Sequence, residues 1–364
     1  MGGKFERKRF ANIDINDPFF DSLKADYPGS PVTKSFAQWF HEKAAEGKEA
    51  LVFEENGRVG AFINLKIGEN ESIKLKDKDD LRPLPRVKIT TIKIDDRYKK
   101  QRIGEGALGL TLWEWRDSKL DEIYLTVFAK HVELINLLEK YGFVCVGTNL
   151  NNEKVYLKSR KRLDFKDPCK AFPFISNNIQ TVRILPIDMG YHDTMFAYSE
   201  LANTLQEKVN ISVANGLKKV YIGNPTNLPF REGEPVLIYR KYTGNVGSHG
   251  FKSVITSYCI ITKVVKIRKN NKPIYRFDQF IRLVGNKSVF SLDELRKKYE
   301  ELSNLTLIEL LYYGYFGAGN NVNWIWLKNN NIWTGYPMSL ALTAGQFRKI
   351  LQEGKINADN VIIN

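Results

Sequence analysis

The 364-residue sequence predicts an α+β protein of two units, and three observations carry that reading. Through about residue 162, strand-like apolar segments alternate with segments of helical spacing, the pattern of a mixed central sheet flanked by helices. From Lys218 onward, long β-branched runs dominate with short helices between them, the pattern of a β pseudo-barrel with inserted helices. The length also exceeds what a single hydrophobic core usually serves. The expected organisation is therefore 1–162 as one domain, 163–215 as a linker and capping segment, and 216–364 as a second domain.

The elements follow in chain order. EALVFEENGRVGAFINLKIG reads as two strands turned at Asn56-Gly57, a dipeptide that adopts positive φ at both positions cheaply. The charged, proline-bounded stretch Asn70–Arg86 predicts a mobile loop, and Trp39 and His41 lie on a helix expected before it. Ile89–Ile94 predicts a strand, Ala107–Trp115 a helix, Glu122–Phe128 a strand and Lys130–Tyr141 a second helix. Beyond, Asp164–Asn178 reads as a linker or strapping loop, Thr181–Pro186 as a short strand, and Tyr191–Ala214 as helically spaced. KKVYIG, a turn at Gly223-Asn224-Pro225, EGEPVLIYRKY and Ser253–Ile267 predict strands. Arg276–Val284 and Ser291–Leu302 predict helices, the second with Ser291 as N-cap and Glu294 at N3. Alternation in NWIWL places Trp324 and Trp326 on one face, Asn329–Asn331 reads as a turn between strands, and a last helix begins near Thr343.

The most informative stretch is ITTIKIDDRYKKQRIGEG, from Ile89 to Gly106. A strand that runs through a short loop into a helix start with little side chain presents unpaired N–H groups and the positive end of a helix dipole, a cradle for phosphate. Arg97, Lys99, Lys100 and Arg102 add cations around Gln101, Ile103, Gly104, Glu105 and Gly106. A P-loop is excluded because Ala107-Leu108, not Lys-Ser/Thr, follow the second glycine, and a dinucleotide fingerprint lacks its third glycine and acidic residue.

Gln101-x-x-Gly104-x-Gly106 resembles the phosphate signature of the GNAT acetyltransferases. The flanking strand pair, the order of strands and helices from about Lys8 to Arg162, and LLEKYGF in place of that family's Tyr-Glu-Lys-x-Gly-Phe extend the likeness. The resemblance implies acetyl-CoA as cofactor, held by the backbone of Ile92, Lys93 and Ile94 at a bulge on the pantetheine side and by Lys99 to Gly106 on the pyrophosphate side. It implies direct attack by an amine on the thioester, with no covalent enzyme intermediate. The family's thiol-protonating tyrosine falls on Leu138, and its asparagine on His131. His131 is a candidate proton carrier, because imidazole titrates near neutrality, and Asp95 a candidate base that could equally pair with Arg97. Tyr141 is expected to pack, and such folds often form homodimers.

The second half resembles the PUA-like group, which includes ASCH and EVE domains, in its paired strands REGEPVLIYRKY and SVITSYCIITKV. That resemblance implies RNA, or an RNA-associated substrate, as partner. Arg240, Lys241, Tyr242 and Lys252 are the expected contacts, with Tyr239, Trp324, Trp326 and Trp333 available for stacking or core. Charge agrees: residues 1–162 carry 30 Lys+Arg against 25 Asp+Glu (+5), and residues 163–364 carry 25 against 16 (+9). Alternatives are a small-amine or protein acetyltransferase with a scaffold second domain, and a non-catalytic nucleic-acid binder with a relic CoA fold. No apolar run approaches a membrane span, the N-terminus lacks an h-region, and Cys145, Cys169 and Cys259 are scattered; these features predict a cytoplasmic protein with reduced thiols.

Overall fold

The computed structural model describes residues 4–31, 33–76, 78–199, 201, 211–224, 228–245 and 247–364. The Gly223-Asn224-Pro225 turn and the middle of the expected helical stretch Tyr191–Ala214 reach outside those residues. The chain forms two compact units, Met1–Arg162 and Leu163–Asn364. No helix among the described residues is long and apolar enough to cross a membrane.

In the first unit a seven-stranded mixed sheet runs in the order β1-β2-β3-β4-β5-β7-β6. Its strands are β1 (Phe5–Arg9), β2 (Glu49–Glu55), β3 (Arg58–Glu69), β4 (Arg86–Ile94), β5 (Glu122–Val127), β6 (Val144–Thr148) and β7 (Lys154–Ser159). Between β1 and β2 lie the helices α1 (Asp21–Asp26) and α2 (Phe36–Ala45), whose Phe20, Phe36 and Phe40 neighbourhood packs on Phe62 of β3. The β2–β3 turn takes φ of 52° at Asn56 and 74° at Gly57, the positive values that the Asn-Gly pair predicts. β4 and β5 are parallel, joined by α3 (Ile103–Ser118); α4 (Val132–Lys140) then leads to the antiparallel pair β6–β7. This order is consistent with a GNAT fold.

Two expectations for this unit are corrected. The Asn70–Arg86 stretch is not a free loop: Ile73 and Leu75 are buried beside Tyr124, Val155 and Leu157, and backbone bridges tie Ile73 to Leu81 and Leu75 to Asn149. Its apolar residues alternate between the charges, which lets them turn inward while Lys74, Lys76, Lys78, Asp79 and Asp80 stay wet. The bulge of β4 lies at Thr90, where the register steps from Leu65↔Ile89 to Asn64↔Thr91, not at Ile92–Ile94.

The second unit is built on a five-stranded path in the order β10-β14-β12-β11-β9. These are β9 (Arg183–Asp188), β10 (Lys218–Gly223), β11 (Pro235–Lys241), β12 (Val254–Lys269) and β14 (Leu305–Tyr315), with β13 (Lys272–Pro273) and β15 (Val322–Asn323) pairing with β12. β9 and β10 stand at opposite edges of that path, which makes a half-barrel. The apolar strand β14, which lies between β10 and β12 and is buried at ten of its eleven positions, is the element that a reading by alternation passed over. A strand covered on both faces carries no period-two signal.

The segment after residue 163 straps onto this unit. Its helix α5 (Pro168–Ala171) is followed by buried Phe172 and Phe174, and Tyr313 donates a hydrogen bond to the Pro168 carbonyl at 2.6 Å. β8 (Ile175–Ser176) then pairs with β16 (Ile362–Ile363) near the C-terminus. The remaining helices are α6 (Met189–Met195), α7 (Ile211–Asn215), α8 (His249–Lys252), α9 (Phe277–Val284), α10 (Leu292–Glu301), α11 (Trp324–Asn329), α12 (Ala344–Glu353) and α13 (Ala358–Val361). The Ser291 capping box is present as expected. NWIWL, however, forms helix α11 with Asn323 as N-cap, so Trp324 and Trp326 do not share a strand face, and Asn329–Asn331 ends that helix instead of joining strands. A side-chain cap accepting from the Trp326 N–H at 2.8 Å outweighs an alternation only five residues long.

Candidate functional site

β4 and β5 pair only from Arg86↔Glu122 to Ile89↔Leu125. β4 then continues five residues to Ile94, while β5 runs to Val127 paired with β7 on its other side. Parallel strands that separate in this way leave the facing backbone groups of Thr90–Ile94 without a ladder, so a wedge opens at the C-terminal ends of both strands. Open backbone at such an edge is available to an extended ligand. The Thr90 bulge begins this departure, and its hydroxyl accepts from the Asn64 amide at 2.6 Å.

The loop beyond β4 is fixed by its own polar groups. Asp95 caps a short turn, accepting from the Arg97 N–H at 2.8 Å and from its guanidinium at 2.9 and 3.0 Å. Burial alone would raise the Asp95 carboxyl, but Arg97 overrides it and holds the group below the ordinary range. That commitment makes Asp95 a poor base. Tyr98 is buried and donates to Glu55 at 2.8 Å. Lys100 and Arg102 both take positive φ, 64° and 61°, which turns the chain sharply into α3.

Three N–H groups, of Ile103, Gly104 and Glu105, precede the first helical bond of α3, made by the Gly106 N–H to the Arg102 carbonyl at 3.1 Å. A Cβ at Gly104 would lie 3.7 Å from the Leu137 side chain and 3.8 Å from that of Ile94. The first turn of α3 therefore meets the end of β4 and one face of α4.

The side chains expected around this cradle divide in two. Lys99 stays at the surface, 3.2 Å from Asp96, and Gln101 leans back toward the Arg97 carbonyl at 3.4 Å. Arg102 instead turns inward: its guanidinium, largely buried, pairs with Glu105 at 2.8 Å, and the Glu105 carboxylate also accepts from the Tyr141 hydroxyl at 2.8 Å. Glu105 is held below its usual range by Arg102 and Lys140 against the pull of burial. Arg102 thus serves the loop in a buried pair with Glu105, not as a phosphate cation. Lys93 is also diverted, with its ammonium bound to the Phe19 carbonyl and the Ser22 hydroxyl, so only its backbone is offered to the wedge. Burial depresses its pKa. Ile103 is fully buried and contributes its N–H alone.

At the other end of the wedge, His131 caps α4, about half exposed, with Nε2 4.0 Å from Asp26. Lys130 pairs with Asp26 at 2.6 Å. Tyr27 packs near the ring of Phe128, which follows β5, and donates to Glu153 at 3.0 Å; burial and Glu153 together push its hydroxyl pKa upward. Asp26, Tyr27 and Glu153 were not singled out by the sequence, because nothing in their spacing brings residues 26 and 153 together. Trp39 packs against Phe10 and Phe36, while His41 is exposed. Leu138 is fully buried, and Tyr141 is engaged with Glu105, so neither stands ready as an acid.

In the second unit, the expected RNA contacts also separate. Arg240 is buried and forms a two-pronged pair with Asp193 at 2.8 and 2.9 Å, which rules it out as a free phosphate contact. Burial works against the Asp193 charge, but Arg240 and His192 hold its carboxyl down at about 2. His192, fully buried, also meets Thr256 at 2.7 Å. A strand cation at the end of an apolar run reads as exposed until the partner from a distant helix is known. Lys241 is exposed and 3.3 Å from Asp188; Lys252 lies over the Tyr242 ring at 4.9 Å. A cavity of about 480 Å³ opens in the same unit, walled by Tyr191, Tyr221, Tyr239, Phe290, Trp333 and Tyr336. Tyr239 and Trp333 are 4.7 Å apart between ring centres, and Asp188, Lys241 and Lys298 supply its charges.

No protein-family model matches the sequence, and no curated protein does. Among solved structures, an N-acetyltransferase from Staphylococcus aureus Mu50 aligns with 15% identity and a TM-score of 0.32, over 44% of this chain and 99% of its own. A GNAT family acetyltransferase from Elizabethkingia anophelis with acetyl-CoA bound aligns at 11% and 0.28, over 43% and 98%. The ASCH protein from Zymomonas mobilis aligns at 11% and 0.31, over 47% and 94%. Likeness at this level decides nothing about chemistry. The strand order and the wedge are properties of this chain itself.

Proposed function

We propose that the first unit binds acetyl-CoA in the β4–β5 wedge and transfers its acetyl group to an amine, and that the second unit recruits RNA or an RNA-associated substrate. The separation of β4 from β5 after Ile89 and Leu125, with the start of α3 beside Ile94, carries the reading. Pantetheine amides would pair with the backbone of Thr90–Ile94, and the pyrophosphate would accept from the N–H groups of Ile103, Gly104 and Glu105. The acceptor amine attacks the thioester carbonyl carbon, the C–S bond breaks as the tetrahedral adduct collapses, and thiolate leaves. A thiolate is stable enough to depart without a side-chain acid, which suits the buried Leu138. Water takes the ammonium proton before the attack and His131 passes it to solvent, and the proton lost from the adduct nitrogen reaches the departing thiolate through solvent.

For the second unit, the aromatic cavity replaces the Arg240 patch as the place where an unstacked base would lie, with Tyr239 and Trp333 as stacking surfaces. The test is calorimetry with acetyl-CoA, followed by thiol release on adding amines. One-to-one binding with acceptor-dependent CoA release is expected. Absence of binding overturns the acetyltransferase reading; binding without release to any amine favours a CoA-binding relic.

A further inference from the structure

The sequence from Lys263 to Ile274, KVVKIRKNNKPI, holds five cations and no acid. In the fold it is the far half of β12 and its hairpin to β13, with Arg268↔Pro273 and Lys269↔Lys272 in register and both turn residues, Asn270 and Asn271, at positive φ. Arg268 is structural: it binds the carbonyl of Tyr299 at the end of α10 and that of Asn271 at 2.9 Å, which pins the ribbon to the unit. The other four, Lys263, Lys266, Lys269 and Lys272, are exposed, and none is in an ion pair among the described residues. Glu309, opposite Lys263 in the ladder, is already taken by Lys218 at 2.8 Å and by Lys287 at 2.5 Å. Lys266 and Lys269 also line a groove of about 130 Å³ with Asn304 and Thr306.

We propose that this ribbon is a docking surface for the phosphate backbone of single-stranded RNA; the choice of polyanion rests on the RNA reading above. At about 3.3 Å per residue, Lys263 to Lys269 spans roughly 20 Å along the edge of β12 that neither β11 nor β13 covers, with Lys263 on one face of the strand and Lys266 and Lys269 on the other, so a flexible phosphate chain that follows the edge can reach all three. Lysine without free arginine suits backbone contact more than base reading, so the ribbon would set position while the aromatic cavity discriminates. A bilayer fits less well, because the tip Lys269-Asn270-Asn271-Lys272 has no apolar side chain to insert. A protein partner fits less well too, since Ile274 is the one large apolar side chain that the ribbon exposes and the ribbon itself holds no aromatic anchor.

Fluorescence anisotropy of a labelled mixed-sequence single-stranded RNA tests this with the full chain. Four phosphate contacts give a slope of about −2.8 in log affinity against log salt, or about 50-fold weakening from 50 to 200 mM salt. The variant K263Q/K266Q/K269Q/K272Q is expected to lose a slope of about 3 while keeping its thermal midpoint and its acetyl-CoA affinity. K48Q/K119Q/K161Q/K355Q, which removes the same charge elsewhere, should keep the slope. Equal losses in both variants, or an unchanged slope in the first, overturn the interface. Ribbon-dependent binding to phosphatidylserine vesicles tighter than to RNA also overturns it. If the unaltered chain shows no salt-dependent RNA binding, the RNA half of the proposed function fails as well; retention by the ribbon variant alone removes only this surface.

Discussion

Replacing Glu105 by leucine isolates the device that shapes the phosphate loop. The carboxylate is buried, bound to Arg102 at 2.8 Å and to the Tyr141 hydroxyl at 2.8 Å, and Arg102 holds a φ of 61° that a non-glycine residue adopts at a cost of about 1–3 kcal/mol. Removing one member of a buried pair leaves its partner charge uncompensated, which costs about 3–5 kcal/mol. The tyrosine loses its acceptor as well, for about 1 kcal/mol. In a unit of this size each kcal/mol lowers the midpoint by about 2–4 °C, so the total of about 4–6 kcal/mol should lower the first-unit transition by roughly 8–24 °C in calorimetry of the full chain. Acetyl-CoA affinity should fall with it at temperatures where the unit remains folded. Adding Arg102→Gly removes both the orphaned cation and the strained φ, so the double variant should recover most of the lost stability. A midpoint within about 2 °C of the parent for Glu105→Leu, or a double variant no better than the single, would refute this reasoning.

Two further outcomes follow from the geometry. Gly104→Ala should fold normally, since its Cβ meets neighbours at ordinary contact distances of 3.7 and 3.8 Å, whereas Gly104→Glu or Gly106→Glu should weaken acetyl-CoA binding at least about 100-fold by displacing two or more charge-assisted bonds of about 1.5–3 kcal/mol each; calorimetric titration checks both. Lys218 and Lys287, against the pull of burial, hold the Glu309 carboxyl at about 2 instead of 4.5, so its contribution of about 3 kcal/mol should be present above pH 4.5 and lost as pH falls toward 2. Glu309→Gln should flatten that acid limb of a stability–pH profile, and an equally steep limb in the variant would remove the assignment.

What the sequence made legible was local. The Asn56-Gly57 turn and the Ser291 capping box depend on residues within a few positions of one another, whereas α3 begins at Ile103, four residues before the expected Ala107, so Gly104 and Gly106 lie in its first turn and not in a loop before it. The partners of Arg102, Lys93 and Arg240 were not legible, because a cation looks solvent-bound until the fold delivers Glu105 and Tyr141, the Phe19 carbonyl, or Asp193. Glu105 lies only three residues from Arg102, yet nothing local shows that both turn inward. β14 escaped for a different reason: LTLIELLYYGY is apolar on both faces, and such a run carries neither period. Tyr27 and Glu153, 126 positions apart, meet only because α1 and the β6–β7 hairpin reach the same end of the wedge.

The central claim is that acetyl-CoA occupies the gap between β4 and β5, held by backbone. Amide hydrogen exchange with and without acetyl-CoA tests it most directly. The account predicts slowed exchange confined to Thr90–Ile94 and Ile103–Glu105, with β1 and the second unit unchanged. Protection that appears elsewhere, or none at saturating acetyl-CoA, would contradict it.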